Sequence, residues 1–164
     1  MKHYHDAEQE QLFLSFLQEN GLTLPDFQLE KLFQFSELVL EHNKITNLVS
    51  PKDSLKLLSR HIADSLIPLI FLKKNDLLKS SGEWADMGSG AGFPVFPLAI
   101  CIPELEFYAV EPRKKRCVFL REAVEATGIK NLRIIEDSFE NSYFSDLDYI
   151  SCRALGSLED DFLS

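Results

Sequence analysis

Cysteine is scarce in this 164-residue chain: Cys101, Cys117 and Cys152, with no C-x-x-C spacing. An odd number so arranged excludes a disulfide framework and a cysteine-rich zinc site, and it fits a reducing compartment. Each cysteine stands among apolar neighbours, so core packing is the role expected of all three. Long apolar runs are also missing. The longest, Phe93 to Ile102, contains Pro94 and Pro97 and falls well short of the ~20 residues of a spanning helix. The N-terminus is polar and acidic (Asp6, Glu8, Glu10), unlike the basic-then-apolar pattern of a secretory signal. No membrane association and a cytoplasmic location are therefore expected. Histidine is sparse as well, and the terminal His3 and His5 make poor ligands, so no metal site is expected. There is no repeat and no low-complexity tract, and a monomer is expected.

Positive charge is in deficit. Seventeen Lys and Arg face 26 Asp and Glu, a net −9, which on its own disfavours a polyanionic partner. The distribution tells more. Between Glu111 and Arg133 stand seven cations (Arg113, Lys114, Lys115, Arg116, Arg121, Lys130, Arg133) against three acids, while the remaining acids gather toward the two ends. Such a segment on an acidic body suits phosphate contact at one face. A solvated helix face accounts for it equally well.

Along the chain, hydrophobic periodicity predicts a helix over Asp6–Asn20 stopped by Gly21, and a second from Pro25 to His42. After a polar connection, Asn43–Ser50, a third helix is predicted from Pro51–Ser54 to Phe71. A Ser-Ser-Gly turn at Ser80–Gly82 then separates an N-terminal helical region, residues 1–80, from a second unit, residues 81–164. There the pattern alternates: strand Glu83–Met87, helix Pro94–Ile102, strand Leu105–Val110, helix Pro112–Thr127 capped by Gly128, strands Leu132–Glu136 and Leu147–Cys152, and the start of a helix at Leu158–Leu163. Alternating β and α units of this length imply an α/β fold with a parallel sheet and right-handed crossovers.

The sharpest local feature is Asp86-Met87-Gly88-Ser89-Gly90-Ala91-Gly92-Phe93-Pro94, placed between a predicted strand and helix. Glycine tolerates positive φ and admits a ligand close to the backbone. A helix N-terminus offers unpaired N–H groups, and ligands of open parallel sheets bind at the C-terminal strand ends. The spacing is G-x-G-x-G, neither the dinucleotide G-x-G-x-x-G nor a P-loop. It is similar to that of Rossmann-like methyltransferases, whose cofactor, S-adenosyl-L-methionine, has no pyrophosphate. Glu111 ends the next predicted strand, 23 residues after Gly88, where an acid accepts the ribose hydroxyls of an adenosine.

The motifs together resemble one family, the 16S ribosomal RNA guanine-N7 methyltransferase G (glucose-inhibited division protein B). The likeness runs from about Leu32 to Leu158: Asn43-Lys44 with Asn47-Leu48, Arg60-His61-Ile62-Ala63-Asp64-Ser65-Leu66, the Asp86–Pro94 turn, Pro97-Leu98-Ala99-Ile100, Glu111, Lys114-Lys115, Phe119-Leu120 and Ser151-Cys152-Arg153-Ala154. It implies a Rossmann-like S-adenosylmethionine-dependent core preceded by a helical region, and methyl transfer to a guanine N7 in small-subunit rRNA or the 30S particle. It also implies that Gly88 and Phe93 line the cofactor pocket, that Phe139-Glu140 meets the adenine side, and that Arg153 faces the cofactor or the target base. Asp86, Gly90, Gly92 and Glu111 are expected at the cofactor from the broader class.

Three departures stand out. Val95 follows Pro94 where the family usually has Gly, and Ser138 and Phe139 replace a basic and a small residue. Four strand patterns occur, fewer than the family's usual set, and its glycine-lysine-rich hairpin is not seen; a core lacking the usual C-terminal strands is therefore expected. A non-catalytic cofactor- or RNA-binding remnant is the alternative, and a nicotinamide oxidoreductase fits the glycine spacing less well.

Guanine N7 carries an in-plane lone pair and no proton, so its methylation needs no general base; alignment and water exclusion suffice. No Ser/His/Asp or Cys/His arrangement is expected, and no catalytic side chain is assigned. Arg153, His61 and Asp64 are the candidates near the target base. Arg60 and His61 lie on one helical face with Asp64, which fits either a border of the pocket or a tie between helical region and core. RNA contact is expected from Arg113, Lys114, Lys115 and Arg116, because cations at a helix N-terminus oppose its dipole and call for another reason.

Overall fold

The computed structural model describes residues 6–153. His3, His5, Ala154 and the helix expected at Leu158–Leu163 lie outside the described residues. Helix α1, Ala7–Glu19, starts where the Asp6 carboxylate accepts the Glu8 N–H and ends at Asn20, with Gly21 at φ 65°. Helix α2, Asp26–Asn43, follows Pro25. The polar connection after it is ordered by the Asn43 side chain, whose Oδ1 accepts the N–H groups of Leu48 and Val49 at 2.8 and 2.9 Å.

The long third helix predicted from Pro51 is in fact broken. One turn, α3 (Pro51–Ser54), is capped by Ser50, then Leu57–Ile62 forms a π-helix that leads into α4, Ala63–Lys74. Leu57, Leu58 and Ile62 of the π segment are all fully buried in the core.

The second unit follows its predicted order with ends shifted by one or two residues. Strand β1 is Gly82–Met87, α5 Val95–Cys101, β2 Leu105–Val110, α6 Lys114–Thr127, β3 Leu132–Ile135, and β4 Tyr149–Cys152. All strands are parallel, in the order β3-β2-β1-β4. Chain direction reverses laterally beside β1, so the carboxyl ends of β1, β2 and β4 form the crevice where such sheets bind ligands. Helix α6 closes at Gly128 in the left-handed conformation, whose N–H returns to the Val124 carbonyl. The buried Asn131 side-chain amide donates to the carbonyls of Ala99, Ile102 and Leu105, holding the end of α5 to the start of β2.

The helical region and the sheet share one hydrophobic core. Phe35 of α2 is fully buried and stacks on Phe96 of α5 with centroids 4.0 Å apart, while Phe93 and Phe119 approach it at 5.4 and 6.4 Å. The other sheet face carries a smaller cluster, Ala85, Met87 and Val110, roofed by Phe144 and Leu147 of the β3–β4 connection. Val95 lies fully buried in the main core, which gives this departure from the family pattern a packing role. The expectation that all three cysteines pack in the core fails at Cys152, which is exposed because it ends β4 at the sheet edge; Cys117 is buried and Cys101 partly so.

Truncating Phe35 to Ala is expected to cost about 3–5 kcal/mol and to weaken both regions together. In urea, helix loss by circular dichroism and exposure of the lone Trp84 of β1 by fluorescence should keep coinciding. Separate transitions would contradict a shared core.

Candidate functional site

The turn after β1 is built by its glycines. Gly88, Gly90 and Gly92 have φ of 71°, 56° and 95°, values that side-chain-bearing residues rarely adopt. Gly92 is further constrained by packing: a Cβ there would lie 3.0 Å from Leu120 Cδ2 and 3.1 Å from Phe35 Cζ. This glycine, expected at the cofactor, is pressed by the core. The unpaired N–H donors anticipated in the turn are also spoken for at several positions. Gly88 and Ser89 donate to the Val110 carbonyl, Gly92 to the Ser89 carbonyl, and Gly90 to Glu111 Oε2 at 2.8 Å.

Glu111 is the partner that organises this arrangement. It is 1% exposed, and its Oε1 accepts the Arg113 N–H at 2.9 Å with Arg113 Nε at 3.4 Å. Cys117 Sγ donates to its backbone carbonyl. The predicted helix start at Pro112 is corrected for the same reason: the bond to Arg113 N–H turns the chain, and α6 begins at Lys114 with Arg113 as its cap residue.

The four cations expected to contact RNA differ in burial: Arg113, Lys114 and Lys115 are exposed and Arg116 is half-buried. Arg113 leans on Glu111. Arg116 is half-buried across Gly90, its Nη1 2.8 Å from where a Cβ would stand. Burial, then the charge of Arg113, lowers the Arg116 pKa.

On the other side of the turn, Asp86, the penultimate residue of β1, is 1% exposed. Its Oδ1 accepts from Ser151 Oγ at 2.7 Å, and that hydroxyl accepts the Trp84 indole N–H at 2.9 Å. Its Oδ2 is buried with no hydrogen-bond partner among the described residues, and so is His61 Nε2. Burial pushes its pKa up to about 7, opposed by the Ser151 and Ser89 hydrogen bonds and by the charge of Arg153. Ser151 and Trp84 were not singled out in the sequence. The signal for Ser151 was its place in the Ser-Cys-Arg-Ala ending, whereas Trp84 reads only as a strand residue.

An open groove of about 440 Å³ is lined among others by Asp64, Ser65, Pro68, Pro94, Ser151 and Arg153, and reaches Asp86 only through Ser151. Arg153 Nη2 lies 3.2 Å from His61 Nδ1 and 4.0 Å from Asp64 Oδ2. His61, in the π-helix, has its Nε2 3.1 Å from Asp53 Oδ1 of α3 and its ring 5.7 Å from that of Phe93. The Ser50 hydroxyl first and His61 second hold the Asp53 carboxyl below its usual range. Thus the structure brings His61, Asp64 and Arg153 together and adds Asp53, for which no sequence motif spoke. Phe93 is 7% exposed and faces Phe35 and His61.

Phe139–Asn141 forms one 3-10 turn with Glu140 exposed. The Glu140 pKa is lowered by its own backbone N–H and by the Ser138 hydroxyl. The Phe139 side chain is outside what the structure describes. Among the described residues no cluster of His, Cys, Asp and Glu is arranged to hold a metal ion, and no helix is long and apolar enough to cross a membrane.

Asp86 keeps its proton in the folded protein to about pH 7, while in the unfolded chain it loses it near 3.8. Folding therefore takes up a proton between these values, and ionisation of this group lowers stability as pH rises through them, by up to ~1.4 kcal/mol per pH unit. Asp86→Asn is expected to flatten that part of the stability–pH curve, measured as urea midpoints at successive pH. An unchanged slope would contradict the burial argument.

The sequence matches the family described as rRNA small subunit methyltransferase G over residues 28–162. A ribosomal RNA small subunit methyltransferase G of Leuconostoc citreum is 36% identical over 148 residues, covering 87% of this chain and 61% of the relative. One from Wolinella succinogenes is 38% identical over 134 residues, covering 82% of this chain and 66% of the relative. The chain thus spans less than two thirds of the length of these relatives. In fold it is similar to a protein-L-isoaspartate O-methyltransferase, at 18% identity and a TM-score of 0.57 over 88% of this chain and 47% of the other. It is likewise similar to a precorrin-6y C5,15-methyltransferase from Geobacter metallireducens, at 17% identity and 0.50 over 70% and 54%. On the family match and the identities to its named relatives, the chain belongs to the rRNA small subunit methyltransferase G family.

Proposed function

We propose that this chain transfers a methyl group from S-adenosyl-L-methionine to N7 of a guanine in small-subunit ribosomal RNA, acting as a cytoplasmic monomer on that RNA or the 30S particle. The observation that carries the reading is the pair of buried carboxylates, Asp86 and Glu111, on adjacent strand ends with the glycine turn between them. The family match supports the same chemistry.

The residues fit such a cofactor. Asp86 presents a buried oxygen with no hydrogen-bond partner among the described residues, and a cationic ammonium placed there would satisfy it by drawing the carboxyl to its ionised form. Glu111 is already fixed by backbone donors, and a carboxylate has lone-pair sites beyond these for ribose hydroxyls. Gly88 and Gly90 hold the turn that the adenosine would lie along, Gly92 seats it on the core, and Phe93 backs it. Phe139 and Glu140 are assigned to the adenine side and Arg153 to the groove. When bound, S-adenosylmethionine supplies an electrophilic methyl on a sulfonium.

The chain's own task is then positional. Pro68, Pro94 and Ile150 give the open groove partly apolar walls against which the target base would lie, with His61, Asp64 and Arg153 bordering it. Holding the nucleophile in line is worth up to ~7–11 kcal/mol of barrier without any proton transfer. Lys114 and Lys115, exposed at the start of α6, supply the phosphate contact, and Arg113 and Arg116 add charge behind them. The net charge of −9 confines RNA to that face by repulsion elsewhere.

Calorimetric titration with S-adenosylmethionine should show one site that Gly88→Val or Glu111→Ala removes, with NAD giving no heat. Labelled methyl should pass to 30S subunits lacking the mark; binding without transfer would instead favour a non-catalytic member of the family. The double change Lys114→Ala, Lys115→Ala should lower RNA affinity and reduce the log–log salt slope by about 1–2 while leaving cofactor affinity alone. An unaltered slope would remove these lysines from the interface.

A further inference from the structure

Trp84 and Ser151 meet because of the sheet's register. In the parallel pair of β1 and β4, Trp84 stands opposite Tyr149 and Asp86 opposite Ser151, so alternation puts all four side chains on one sheet face. Trp84 is buried, and its ring stacks on those of Phe107 and Tyr149 at centroid distances of 5.6 and 4.9 Å. Tyr149 is in turn pinned at its tip: the phenol accepts the Lys79 N–H at 2.8 Å and donates to the Leu77 carbonyl at 2.7 Å. The indole is thus held from the strand on either side.

Chemistry fixes the direction of the hydrogen bonds that follow. An indole N–H only donates, so Ser151 Oγ is the acceptor at 2.9 Å. The hydroxyl has one proton, and it goes to Asp86 Oδ1 at 2.7 Å. The order is therefore indole to hydroxyl to carboxyl, leading from the aromatic core to the end of β1. The Ser89 hydroxyl donates to the main-chain carbonyl of the same aspartate at 3.0 Å, which holds its backbone while Ser151 holds its side chain. Oδ1 is thereby engaged, and the buried Oδ2 has no hydrogen-bond partner among the described residues. A carboxyl turns easily about its last torsion. The bond from Ser151 selects which oxygen is left over and where it points.

We propose that Trp84 and Ser151 are positioning residues for the cofactor, fixing the Asp86 carboxylate so that Oδ2 is left to receive the ammonium of the cofactor's amino-acid end. The ligand rests on the methyltransferase reading; the order of the hydrogen bonds does not. A role confined to fastening the edge strand β4 to β1 would be blind to what charge the nucleoside carries.

Trp84 is the only tryptophan, so a single indole N–H resonance in proton NMR reports on this chain of bonds. It should move upfield in Ser151→Ala, which removes its acceptor. Three nucleosides are titrated: S-adenosylhomocysteine, its decarboxylated form (which keeps the ammonium alone), and methylthioadenosine, which carries neither charge. The two ammonium-bearing compounds should shift the indole signal of the wild type, and methylthioadenosine should leave it in place. Ser151→Ala should weaken those two about tenfold and methylthioadenosine by less than about twofold. Ser151→Thr keeps the hydroxyl and should restore binding.

Trp84→Phe keeps a ring in the stack and removes only the N–H, so its loss should be smaller, about threefold. Adding it to Ser151→Ala should cost nothing more. The double variant also removes the unpaired indole N–H that Ser151→Ala alone would bury, so its binding is read even where the single variant folds poorly. An indole signal unmoved by Ser151→Ala overturns the hydrogen-bond order. Equal loss on methylthioadenosine, additive losses, or a Ser151→Thr chain no better than Ser151→Ala overturns the positioning role. If the wild type binds none of the three, the methyltransferase reading fails and the positioning role with it. If it binds all three and Ser151→Ala binds them equally well, the positioning role fails alone.

Discussion

The Glu111 carboxylate is the interaction on which the site depends. A buried ionised acid costs several kcal/mol unless hydrogen bonds compensate it. Here the compensation comes from the backbone of two different loops, Gly90 after β1 and Arg113 after β2. One side chain thereby ties adjacent crossover loops to each other, and the positive φ of Gly90 lets its N–H point inward. The start of α6, the line of Arg116 across the turn, and the exposure of Lys114 and Lys115 all follow from where Arg113 is pinned.

A second constraint comes from the far side of the turn. Gly92 admits Phe35 and Leu120 so closely that the helical region and the sheet meet at the base of the glycine turn. The turn is therefore clamped from above by Glu111 and from below by the aromatic core. Rigid placement of this kind suits a reaction governed by alignment rather than by proton transfer. It also explains why polar residues of the N-terminal helices, Asp53, His61 and Asp64, reach a site whose other groups come from the ends of β1 and β4. The π-helix matters for the same reason: it carries the buried Leu57, Leu58 and Ile62 and also His61, which lies beside Arg153.

Much of the fold was legible because its signals are local. Period-3.6 and short apolar runs, stopped by Gly21, Gly82 and Gly128, give α1, α2, the strands and α6 within one or two residues. The alternation of β and α units gives a parallel sheet. The G-x-G-x-G turn and Glu111 stand out because glycine and a strand-end acid are demanded by backbone geometry and by charge, both properties of the residue itself. The break in the third helix was not legible, because apolar Leu55, Leu57 and Leu58 continue the helical pattern through the turn at 55–56.

The sequence by itself determined the element order, the family to which the chain belongs, and the residue types available at the strand ends. Tertiary structure alone decided how those residues are used. Four consecutive cations read as one patch, yet Arg116 is half-buried across Gly90 and Arg113, though exposed, is paired with the buried Glu111. Asp53 and Arg153, a hundred residues apart, come to opposite edges of one imidazole, and the buried Asp86 is left with an oxygen that no described residue hydrogen-bonds. The physical reason is that helix, turn and charge propensities act over a few residues. Desolvation and hydrogen-bond direction, by contrast, depend on neighbours that only the folded chain supplies.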